Sequence, residues 1–165
     1  MDNTYNGAWA EPKPTDWVAT GETGITYEEV VKDWKEYLPT QERQRNNLFD
    51  SNMCVTYSGL NTLETQLVRL MKKGLLPQTH VDFLTAEGYL DENGRPNFNE
   101  VFCAKLNGTT IAGNHLGAFW DGIRKHGAIP QQDWLDISTA KEWSDLMAPL
   151  PENLLLKGLR FKEMF

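Results

Sequence analysis

Cys54 is the residue of this 165-residue chain best placed to do chemistry. It stands where a polar, irregular stretch, Leu48-Phe49-Asp50-Ser51-Asn52-Met53, gives way to a long apolar periodicity. Tyr57, Leu60, Leu63, Leu67, Leu70 and Met71 recur at steps of three and four, the repeat of a helix face. The cysteine therefore falls at the first turn, among backbone N–H groups without helical partners and at the positive end of the macrodipole. Such an end favours thiolate over thiol, and the thiolate is the nucleophile. The competing reading is a small buried hydrophobe, the commonest fate of a free cysteine.

The other reactive side chains read more plainly. Cys103 lies between Phe102 and Leu106 in a short amphipathic stretch and is expected in the core. The two cysteines have no C-x-x-C or Cys/His spacing, so neither zinc nor a disulfide framework is expected, and no cofactor is implied. Asp91-x-Asn93-Gly94 has the opening of a calcium loop, but Arg95 and Phe102 occupy the later ligand positions and the pattern fails. His80 and His115 stand at predicted helix starts, where capping or exposure is expected. His126 precedes Gly127 at a predicted helix end, where a partly charged imidazole suits the dipole.

The elements that must hold these residues are helical. Thr26-x-x-Glu29 forms a capping box before Val30, Val31, Trp34 and Leu38, and Pro39 ends that helix. Residues 41–50 read as a loop. The helix from Cys54 runs about 20 residues to a stop at Gly74. Shorter helices are predicted over 78–88, 98–106 and 115–126, the last capped by Gly127. Asp91–Gly94 is a turn, and 107–114 a connector. Ser138 or Thr139 starts a helix through Met147, and Pro151 opens a final one reaching Lys162. No strand pattern is convincing. The expectation is a mainly α fold built around the long central helix that starts at the cysteine. An extended arm over residues 1–25 carries Tyr5, Trp9 and Trp17, and 26–165 form a single helical domain.

Composition narrows the function classes. The chain is 40% hydrophobic and 24% charged, a globular balance, with a formal charge of −7. That charge argues against nucleic-acid or anionic-membrane partners, which need basic clusters. The short basic groups, Arg69/Lys72/Lys73, Arg124/Lys125/His126 and Lys157/Arg160/Lys162, fall near predicted helix C-termini, where cations complement the dipole. No run is long enough to span a bilayer, and no charged-then-apolar leader opens the sequence, so export by a signal peptide is not expected.

The stretch Cys54-Val-Thr-Tyr-Ser-Gly-Leu-Asn-Thr-Leu-Glu64 resembles the nucleophile helix of papain-like cysteine peptidases. There the cysteine opens a long buried helix, with an aromatic three residues on, a serine four on and a glutamate ten on. Tyr57, Ser58 and Glu64 stand at those places, while Val55 replaces the usual tryptophan. Gly117–Pro130, with Trp134 after it, resembles the same family's later helix and turn. The form is closest to divergent members in tailed bacteriophages. The resemblance implies the helical, cysteine-bearing half of a peptidase, with Cys54 as nucleophile. It also implies an oxyanion donor upstream: Gln44 is the candidate, with Gln41, Asn52 or the Cys54 N–H as alternatives. The family's catalytic histidine comes from a strand-rich second half, and no histidine here carries its motif. Two functions follow. One is a thiol hydrolase of peptide bonds completed by a histidine from another segment. The other is a non-catalytic phage virion or tail protein, meeting structural partners through the N-terminal aromatics and an apolar C-terminal helix. A phage virion or the cytoplasm of a bacterial host would be its location.

Overall fold

The computed structural model describes residues 34–40 and 43–165. Five helices carry this part of the chain: α1 (Cys54–Lys72), α2 (Gln78–Ala86), α3 (Glu100–Leu106), α4 (Leu116–His126) and α5 (Glu152–Met164). The fold is mainly α, as the periodicity predicts. Pairing of extended backbone among the described residues is confined to isolated bridges, such as Phe98 with Pro130 and Leu90 with Pro96.

The longest helix begins at Cys54, and Gly74 (φ +64°) turns the chain left-handed just beyond its end. Its inward face is Tyr57, Leu60, Glu64, Leu67 and Val68. Gly59 sits mid-helix at a propensity cost of about 1 kcal/mol. The cost has a reason: a Cβ there would lie 2.3 Å from the ring of Phe119, the fully buried aromatic of α4. The two helices thus cross with a ring laid on bare backbone. At the far end of α4 the approach is closer still. Gly127 (φ +71°) and Gly158 of α5 face each other, and a Cβ on Gly127 would be 1.8 Å from the Gly158 carbonyl oxygen.

Residues Glu100 to Ala104 of α3 are all buried, which makes this short helix the centre of the packing. Phe102 and Cys103 join Leu60, Leu84, Tyr89, Phe98, Phe119 and Phe161 in one apolar cluster. Val101 and Ala104 join Met53, Tyr57, Ile137 and Leu146 in another. Cys103 is the core residue expected, and burial pushes its thiol pKa well up.

Asn99 ties α3 to the chain that follows α4. Its Oδ1 accepts from the Phe102 N–H at 2.8 Å and caps the helix. Its Nδ2 donates to the carbonyls of Gln131 (2.9 Å) and Leu135 (3.1 Å), and its backbone N–H donates to Ile129.

Two expectations need correction. The helix from Ser138 or Thr139 to Met147 does not form. Asp136 instead accepts from the Ser138 N–H and its carbonyl from Thr139, closing a turn. A capping box between Glu142 and Asp145 then starts a separate 3-10 turn, Trp143–Met147. The helix from Thr26 and the arm over 1–25 lie outside the described residues. The helix's final residues, Trp34 to Leu38, carry only the 3-10 turn Lys35–Tyr37. Leu38 is extended because the Pro39 ring disfavours helical backbone in the residue before it.

Glu64 is fully buried; its Oε1 accepts from the Phe98 N–H at 2.9 Å, and its Oε2 has no partner. Desolvation raises its pKa from 4.5 to about 8, against the Phe98 hydrogen bond and with smaller upward pushes from Glu100 and Asp91. A raised folded-state pKa means that the folded protein keeps a proton that the unfolded chain releases. The associated stability is complete below pH 4.5 and falls as pH rises to about 8, by roughly 1 kcal/mol per pH unit. Glu64→Gln, which keeps the acceptor for Phe98, should flatten this slope. Urea midpoints from pH 5 to 9 test it, and parallel wild-type and variant curves would refute it. Asn99→Ala removes a cap and two buried donors and should cost about 2–4 kcal/mol in the same assay.

Candidate functional site

The approach to Cys54 is held from three sides. Ser51 is fully buried, and its N–H and hydroxyl both donate to the Gln44 carbonyl. Its own carbonyl accepts from Trp143 Nε1 at 3.1 Å. Asn52 follows with φ +55°, the one non-glycine left-handed residue among those described. Its N–H donates to Asp50 Oδ1 at 2.9 Å, and its Nδ2 donates to the Ile111 carbonyl at 2.8 Å. Met53 then buries its side chain and becomes the N-cap of α1 without offering a side-chain cap. Cys54 emerges as the first helical residue, exposed and unbridged.

The chain reversal through Asn52 therefore leaves a thiol in solvent at a helix end to which Met53 adds no capping side chain. Anions are stabilised at such an end. Of the residues in register with Cys54, Tyr57 is buried and its hydroxyl donates to the Arg43 carbonyl at 3.0 Å. Glu64 is buried and Ser58 exposed.

Gln44 presents its carbonyl to Ser51 and its carboxamide elsewhere. Nε2 donates to Asp50 Oδ1 at 3.3 Å. The cavity it lines, about 460 Å³, is shared with Arg43, Arg45, Asn46, Asn47 and Asp50, and Cys54 is not among the lining residues. Asn52, the alternative, has its amide group engaged with Ile111.

The histidines take the places expected of them, with one change. His115 is the N-cap of α4, its Nδ1 accepting from the Ala118 N–H at 3.2 Å. A neutral imidazole that accepts at Nδ1 carries its proton on Nε2 and is a donor there, the wrong tautomer for a base acting through Nε2. His80 lies in the first turn of α2, edge-on to the Phe165 ring at 4.9 Å. His126 closes α4, but it does not serve as the charged group expected. Burial lowers its pKa, and Lys125 and Lys162 add to the effect, so the ring is neutral near pH 7. No imidazole among the described residues is hydrogen-bonded to Cys54.

Sequence reasoning missed the way the turn Thr110–Gly113 closes onto Asn52. Ile111 holds the Asn52 side chain, and Gly113 packs against the Asn52 carbonyl, 3.7 Å from where its Cβ would be. His115 is two residues beyond Gly113 and Cys54 two beyond Asn52, so both lie at one end of the molecule. The only local signal was Gly113 itself, left-handed at φ +91°.

Asp91 closes its own turn, accepting from the N–H groups of Asn93 and Arg95 and from the Thr40 hydroxyl. Partial burial works against its charge, yet these bonds win and hold the carboxyl below its usual range. No group of three or more His, Cys, Asp or Glu side chains among the described residues could hold a metal. No helix among them is long and apolar enough to cross a membrane.

No protein-family model matches this chain, and neither a curated protein nor a solved structure is detectably similar.

The Asn52 tie gives a direct test. Asn52→Ala keeps the left-handed strain and loses the bond to Ile111, and should cost about 1–2 kcal/mol. Asn52→Gly relieves the strain and should recover part of that loss. Thermal melts of the two variants decide it; equal losses would show that strain plays no part.

Proposed function

We propose that this chain is the cysteine-bearing half of a papain-like thiol hydrolase acting on peptide bonds, phage-encoded, with Cys54 as nucleophile. The observation that carries the reading is the exposed Cys54 thiol on the first residue of the longest helix, ahead of a chain reversal pinned by Ser51 and Asn52. Tyr57 and Glu64, three and ten residues on, are both buried, as side chains that seat such a helix must be. Attack on a peptide carbonyl forms the Cys54 sulfur–carbon bond, and the developing oxyanion meets N–H groups of the first turn, with Gln44 as a further donor if its carboxamide leaves Asp50. The base that takes the thiol proton, and later protonates the leaving amine, comes from another segment or polypeptide.

The second reading is a non-catalytic virion or tail component. Exposed Leu156, Leu159 and Phe165 on and after α5 favour it, since they leave apolar area uncovered beside the buried Leu154 and Phe161.

Iodoacetamide labelling separates the two. If Cys54 is an activated nucleophile, it is carbamidomethylated at pH 6 at least about tenfold faster in the folded protein than in urea. Cys54→Ser abolishes the fast phase, while Cys103 reacts only on unfolding. A folded-state rate no greater than the unfolded one rejects the catalytic reading for this chain.

A further inference from the structure

A second cavity, about 470 Å³, lies apart from Cys54 and is built differently from the surface around the thiol. Phe98 and Pro130 form an antiparallel bridge, with the Asn99 N–H donating to Ile129 and the Gln131 N–H donating to Asn97. This register sets Asn97 directly opposite Gln131, on the face away from the buried Phe98. Both side chains line the cavity, and both present a carbonyl oxygen, Asn97 Oδ1 and Gln131 Oε1, that is buried without a donor. A buried acceptor without a partner costs about 1–3 kcal/mol, and here two stand side by side on backbone that cannot easily turn them away. Asp136, which takes the Gln131 Nε2 at 2.8 Å, and the buried Glu100 put negative charge on the same walls. The exposed side chains of Arg43 and Arg45 line the cavity as well.

We infer that this cavity binds a zwitterion: a basic amino acid, or the basic C-terminal residue of a peptide. Its guanidinium or ammonium group satisfies the two orphan carbonyls, and its carboxylate meets Arg43 and Arg45. The carbonyls need several N–H donors on one compact group, which a guanidinium or ammonium supplies and an apolar or anionic ligand does not. Charge fits the same assignment. Two carboxylates favour the cation, while the two arginines would repel a ligand that carried a cation alone. The volume lies within the range of small-molecule sites. This assignment is independent of any role for Cys54.

Calorimetric titration of the full chain with L-arginine tests it, with L-citrulline (same shape, no cation) and agmatine (same cation, no carboxylate) as comparators. Saturable 1:1 binding of arginine is expected, with citrulline and agmatine each at least roughly tenfold weaker. Asp136→Asn and Arg45→Ala should each weaken arginine binding by a similar factor while leaving the circular dichroism unchanged. In the wild-type protein, where no variant can misfold, the side-chain amide signals of Asn97 and Gln131 should shift on adding arginine. Absence of saturation, citrulline binding as well as arginine, or both folded variants binding like wild type would overturn the proposal. Agmatine matching arginine would overturn the part assigned to Arg43 and Arg45.

Discussion

The side chain of Asn99 is the constraint on which the described fold depends. It is fully buried and uses its acceptor and both of its donors at once: on the first turn of α3, on Gln131 and on Leu135. A buried amide with every group satisfied adds stability and fixes geometry, whereas a half-satisfied one would do neither. Through it, the N-terminus of the central helix and the segment that follows α4 share one orientation. The pairing of 97–99 with 129–131, the seat of Glu64 on the Phe98 N–H, and the wall of the cavity beside Asn97 all follow from that registration.

Much of the fold was legible in the sequence because its helices announce themselves by period and punctuation. Leu60, Leu63, Leu67 and Leu70 mark one face of α1, and Gly74 and Gly127 mark helix ends that the structure keeps. The segment after Ser138 misled for a physical reason. Its apolar residues could suit a helix, but Asp136, Glu142 and Asp145 offer the backbone local hydrogen bonds that break it into turns. Trp143 meanwhile reaches Ser51, 92 residues away, a bond no local pattern encodes.

The candidate site divides in the same way. That Cys54 would open a helix was readable from its neighbours, and its exposure agrees with a working thiol. That Gln44 would turn its carboxamide to Asp50 was not, because a loop glutamine carries no signal of its partner. Glu64 stood in register as a matter of spacing. Only tertiary packing shows that its carboxyl is sealed from water with one oxygen unpartnered. The two orphan carbonyls of Asn97 and Gln131 were beyond sequence reasoning altogether, since they meet through a pairing of residues 34 positions apart.

The double-sided burial of α3 bears on how the chain folds. Seven residues are too few to hold a helix in water, so α3 exists only once partners on both sides are in place. Phe102 belongs to one apolar cluster and its neighbour Val101 to the other. Neither cluster can therefore melt and leave its share of this helix standing. The body from α1 to α5 is a single cooperative unit whose keystone has no stability of its own.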